Sequence, residues 1–217
     1  MCVTEEVSIS VFTICTIACI YLYKRNNPND RWIAILFGYI GLIQLLEYFM
    51  WKDQECKGLN QTATKISFYF VLLQPIVSFL VAYSMTNGKL PIWLYTITIM
   101  YIIYAIPILY SKLEDNQCSK PCGGSEIGLN WQWTDVDIGE GSIDGTLVWF
   151  IFFLAIASPI LLMKNGGKLY FALNLITWVL AGIIGSYRCH GPINIPSGSL
   201  WCLMAFFTPL FKIYYPY

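Results

Sequence analysis

Charge is what this chain of 217 residues has least of: only 12% of it is Asp, Glu, Lys or Arg, about half the share found in soluble domains. That scarcity, with 57% hydrophobic and 17% aromatic residues, excludes an ordinary soluble domain and points to a membrane protein. The 13 basic and 13 acidic residues cancel, so no basic excess is available for a nucleic-acid partner. Histidine is nearly absent. With His190 alone, a zinc site would need cysteine or carboxylate partners, and the neighbouring Cys189 is better explained by disulfide chemistry. No metal or cofactor is expected. No motif sets a serine beside a base for nucleophilic catalysis, and no lysine lies mid-way along the last apolar run to hold a retinal, since Lys212 falls at its end. The N-terminus, MCVTEE, lacks the basic stretch of a cleavable signal, so the first apolar run is expected to stay as a helix.

What the chain does have is long apolar stretches. Seven are readable: Val7 to Tyr23, Trp32 to Trp51, Ile66 to Met85, Pro91 to Ser111, Gly145 to Met163, Leu169 to Tyr187 and Pro196 to Tyr214. Lengths near 20 with few charges fit helices crossing a bilayer, which satisfy their own backbone hydrogen bonds in lipid. The expected fold is therefore all-α, a single bundle of seven transmembrane helices. Pro75, Pro107 and Pro159 fall inside spans and predict kinks. Pro196, Gly198 and Pro209 interrupt the last one.

Charge counted by side gives the orientation. Lys24, Arg25, Arg31, Lys89, Lys164, Lys168 and Lys212 face Asp30 alone on one side, in short loops. The other side holds the acidic N-terminus, the 52–65 and 112–144 loops and the 188–195 connection. Short basic loops remain cytoplasmic, which places the N-terminus outside and the C-terminus inside. Asn60-Gln61-Thr62 is a glycosylation acceptor sequence in a loop assigned to the outside. Cys2, Cys56, Cys118, Cys122 and Cys189 also fall on that side, and no cysteine lies in an inner loop, as an oxidising exterior favours. Pairing is left open: Cys118 with Cys122, or one of them with Cys56 or Cys189. The 112–144 loop is long enough for a small outer cap around Trp131 and Trp133. Its Asp135, Asp137 and Glu140 do not match a calcium-loop spacing and read as a solvated acidic surface.

Glu47 is the one acid inside a span, about four residues from the end of its helix. Gly41, Gln44, Glu47 or Tyr48, and Trp51 share a face, and such a polar stripe should turn toward other helices. Gln74, Arg188, His190 and Ser199 map to the same outer half. Together with Gln44 and Glu47 they make a candidate outward-opening pocket for a small molecule or an ion. The competing reading is that Glu47 simply bonds a neighbouring helix and stabilises the bundle. Asn174, Trp178, Gly182 and Gly185 form a small-residue face that reads as packing.

Glu47 with Trp51, the Cys56 to Asn60 stretch and Gly198-Ser199-Leu200-Trp201-Cys202 resemble an uncharacterised multi-pass membrane family of large DNA viruses and some protists. The resemblance implies a polytopic protein in a viral envelope or host membrane, with no assigned activity and hence no catalytic residues to carry over. Three functions follow as expectations: ligand or ion binding and transport at Glu47; a structural or assembly role in a viral or cellular membrane; and an intramembrane enzyme acting on lipid. The lipid bilayer is the expected partner in all three.

Overall fold

A computed structural model describes residues 4–112, 118–121, 129–130, 143–189 and 206–215; for 107–112, 130, 143–149, 182 and 184–189 the description is of backbone alone. Within these residues the chain is mostly helical. Helix α1, Glu5–Arg25, begins at Thr4, whose Oγ1 accepts from the Val7 amide at 3.4 Å. Glu5 and Glu6 lie in its first turn and Lys24 and Arg25 in its last, each sign at the dipole end that favours it. Asn26 ends the helix in the left-handed conformation, φ 55°. Helix α2, Asp30–Lys52, returns antiparallel, and α3, Leu59–Met85, follows after a short connection.

Helix α4 spans Ile92–Lys112, and a small antiparallel pair, β1 (Lys120–Pro121) with β2 (Leu129–Asn130), follows it. Helix α5, Ile143–Ala157, passes directly into a 3-10 turn, Ser158–Leu162. Pro159 sits in the first positions of that turn; it has no N–H to offer an α-helical ladder, so the tighter winding begins there. Helix α6 runs Gly167–Cys189 and α7 runs Phe207–Tyr214.

Small residues set the closest approach. Gly41 on α2 faces Cys15 on α1, and a Cβ there would stand 3.0 Å from the cysteine sulfur. Cys15 Sγ in turn donates to the Phe37 carbonyl at 3.6 Å. At Gly167 a Cβ would fall 2.7 Å from the Ile160 carbonyl oxygen, so the start of α6 lies directly on the 3-10 turn only because that position is glycine. Pro75 is accommodated inside α3 without ending it.

Three helices, α1, α2 and α3, are long and apolar enough to cross a membrane. Side-chain distribution is consistent with that length. Ile17 and Ile103 are each 63% exposed and Ile99, Leu80 and Ile183 lie open as well, whereas Asp30, Gln44, Glu47, Asn60, Ser67, Gln74, Ser78 and Lys212 are buried. In water the opposite arrangement is favoured.

The first two apolar runs lie within α1, Glu5–Arg25, and α2, Asp30–Lys52. The third starts at Leu59, seven residues before Ile66, because Asn60, Gln61, Thr62, Thr64 and Lys65 end the apolar run without ending the helix. The fifth run is divided between α5 and the 3-10 turn. Of the seventh, 206–214 is described, and helix occupies Phe207–Tyr214. The acidic 131–142 segment, with Trp131, Trp133, Asp135, Asp137 and Glu140, lies outside the described residues.

Candidate functional site

Gln44 and Glu47 stand three residues apart on α2, so one helical turn brings them to the same face. Both have 0% exposure, and Gln44 Nε2 donates to Glu47 Oε2 at 2.8 Å. The amide thus presents a donor to the carboxyl group inside the protein, where an unserved acid would be costly. The antiparallel register of α2 and α3 is marked by two bonds, from Asn60 Nδ2 to the Met50 carbonyl (2.9 Å) and from Tyr39 Oη to the Phe70 carbonyl (3.1 Å). This register puts Glu47 at the level of Ala63 and Gln44 near Ser67.

Gln74 is fully buried too, but the same register sets it opposite Leu36, about three turns along from Glu47. It shares a face with Ser78, whose Oγ donates to the Ile156 carbonyl at 2.7 Å. Among the described residues neither amide atom of Gln74 has a hydrogen-bond partner. Gln74 therefore stands about three helical turns away from the Gln44–Glu47 pair. Arg188 lies in the last turn of α6, with its side chain outside the description, and His190 and Ser199 lie outside the described residues.

Two polar clusters lie at opposite ends of α2. At one, Cys56 and Cys118 form a disulfide across 62 residues of chain, which settles on one of the pairings left open by sequence; Cys122 and the side chain of Cys189 lie outside the description. Around the disulfide, Asn60 Nδ2 donates to Met50 O (2.9 Å) and Ser119 O (2.8 Å), and its Oδ1 accepts from Ser119 N (2.9 Å) and Thr64 Oγ1 (3.0 Å). Asn60 is 0% exposed. That geometry runs against a glycan there: the amide nitrogen that would carry the sugar is enclosed and both its hydrogens are engaged. Asp53 closes the turn before α3, accepting from the amides of Lys57 (2.9 Å) and Asn60 (3.0 Å). These backbone donors, Lys57 first, hold its carboxyl below the usual carboxylate range.

At the other end is a cluster that the sequence reading did not identify. Arg25 grips Asp30 with two nitrogens, Nε to Oδ2 at 2.7 Å and Nη2 to Oδ1 at 2.9 Å. The same guanidinium donates to the carbonyls of Lys212 (3.0 Å) and Ile213 (3.1 Å) on α7. Lys212 Nζ lies 3.8 Å from Asp30 Oδ1, both side chains fully buried, and 5.9 Å over the Tyr170 ring. Asn27 N adds a bond to Asp30 Oδ2 at 3.0 Å. Asn29 Nδ2 reaches the Lys164 carbonyl, and the Asn165 carbonyl at 3.1 Å. The signal available in sequence was that Asp30 is the only acid among seven basic residues on that side, which asks for a buried partner.

Among the described residues no group of three His, Cys, Asp or Glu side chains is placed to hold a metal ion. No protein-family model, characterised protein or solved structure matches the chain.

Proposed function

We propose that this is a multi-pass integral membrane protein of seven spans, N-terminus outside and C-terminus inside, in which the Gln44–Glu47 pair is the polar centre of an outward-facing site for a small ligand or ion. One observation carries the reading: a carboxyl group with no exposure, bonded to a buried amide, on a helix of 23 residues otherwise dominated by apolar side chains. An acid within a membrane span is expensive to maintain and marks ligand or ion pathways more often than packing. Exposed isoleucines and leucines around buried polar groups support the membrane placement. A disulfide at one end of the bundle and a cation-rich cluster at the other support the orientation. Arg188, His190 and Ser199 complete the proposed site by their depth in the sequence; Gln74 does not join it.

The test is ion and proton flux into liposomes reconstituted with purified protein, wild type beside Glu47→Gln. Glutamine keeps the shape and an oxygen to accept from Gln44 but cannot ionise, so folding is expected to survive and flux to fall to background. Equal flux in both proteins would overturn the assignment to Glu47.

A second reading, a structural or assembly protein of a viral or cellular membrane, is favoured by the complete burial of the Gln44–Glu47 pair inside the bundle. It predicts no flux in either protein and a stable complex with other membrane proteins that Glu47→Gln leaves intact.

A further inference from the structure

The surface between α1 and α2 carries an open groove of about 350 Å³, separate from the Gln44–Glu47 pair. Phe12, Thr16 and Ile20 of α1 form one wall, and Ile35, Gly38 and Leu42 of α2 form the other. From Phe12 to Lys24, which also line it, the groove follows α1 for about 18 Å at 1.5 Å per residue. It is open because Gly38 has no side chain: a Cβ there would meet only Cys19, at 3.8 Å, in ordinary contact. Ile20 and Ile35 on its edges are exposed.

One end of the groove differs from the rest. Tyr23 and Lys24 lie there, and Arg31 stacks its guanidinium 5.2 Å over the Tyr23 ring. Neither Lys24 nor Arg31 makes an ion pair among the described residues, in contrast to Arg25 beside them, which is spent on Asp30. The trough is thus apolar along its length and cationic at one mouth, on the side proposed to be cytoplasmic. An acyl chain with an anionic headgroup has the same polarity over the same kind of length. Lysine and arginine near the cytoplasmic surface attract anionic lipid, while a zwitterionic headgroup brings its own cation to the phosphate and gains less.

We infer that the α1–α2 groove is a binding site for one anionic phospholipid of the inner leaflet, one acyl chain lying between Gly38 and Ile20 and the phosphate seated between Lys24 and Arg31. The inference shares the membrane placement of the proposed function but does not depend on Glu47.

Native mass spectrometry of the full chain, released from mixed micelles of phosphatidylglycerol and phosphatidylcholine in equal amounts, reads the site directly. One retained phosphatidylglycerol per chain, preferred over phosphatidylcholine, is expected. Lys24→Gln and Arg31→Gln should each reduce that preference about fivefold, the effect of one cation near a charged surface. Gly38→Leu, which puts a side chain into the trough, should abolish retention of both lipids; if that variant does not fold, Ile35→Trp at the exposed edge serves the same purpose. Equal retention of the two lipids by wild type, retention undiminished by filling the groove, or a lipid-free dimer would each overturn the inference. Glu47→Gln should retain lipid as wild type does, so failure of the transport reading and failure of this one are told apart.

Discussion

At one end of α2, Asn60, Ser119, Thr64 and the Cys56–Cys118 disulfide hold two separate stretches of chain together, with no buried ion pair there among the described residues. At the other, Arg25, Asp30 and Lys212 perform the same task with charges taken out of water. The two differ in what they depend on. The neutral cluster draws on amide and hydroxyl bonds plus one covalent link, which persists only where thiols are oxidised. The ionic cluster needs no oxidation, but it depends on both signs being present, because removing one partner of a buried pair leaves a charge without compensation. The helices are thus tied covalently at one end of α2 and ionically at the other.

The largest effect should come from breaking the ionic end. Asp30→Ala leaves Arg25 and the buried Lys212 facing each other and is expected to cost about 3–5 kcal/mol, read as thermal unfolding in detergent. Adding Lys212→Met should recover part of that loss; a double variant no better than the single one would mean that Lys212 does not depend on Asp30. The covalent end comes next. Cys56→Ala with Cys118→Ala, or reduction of the wild type, is expected to cost about 4 kcal/mol for a loop of this length on the chain-entropy account. The Asp30→Ala penalty should be unchanged in reduced protein, and coupling between the two would show that the ends are not independent.

The smallest expected effect separates the ends by pH. Asp53 is held below its ordinary value by backbone amides, so its folded pKa is lower than its unfolded one. Its stabilisation is complete above the unfolded value near 3.8 and is lost as pH falls through the folded one. Stability of wild type should therefore fall more steeply below about pH 4 than that of Asp53→Asn. Parallel curves would remove Asp53 from the account of this turn.

How far these features were legible in sequence depended on how local their causes were. The Gln44–Glu47 bond was readable because three residues on a helix fix a shared face, and the first two helices were readable because apolar length alone defines them. The start of α3 was not, since hydropathy marks where the side chains turn polar and not where the backbone stops winding. The enclosure of Asn60 was not legible for a similar reason: a triplet motif is local, but the bonds that bury its side chain come from Ser119, 59 residues away. The disulfide was legible as a set of cysteines on one side and not as a pair. The ionic cluster depended on a contact between Arg25 and Lys212, 187 residues apart, where composition could show only that Asp30 stood alone among cations.

The grip of Arg25 on the carbonyls of α7 also sets an order of assembly. During synthesis Arg25 and Asp30 emerge within five residues of each other and can pair at once, whereas Lys212 and the carbonyls that Arg25 holds arrive only after the intervening helices have been made. Until then the guanidinium has donors to spare and Asp30 lacks its second cation. The contact that closes this end of α2 is therefore completed only when α7 reaches the first hairpin, across 187 residues of chain.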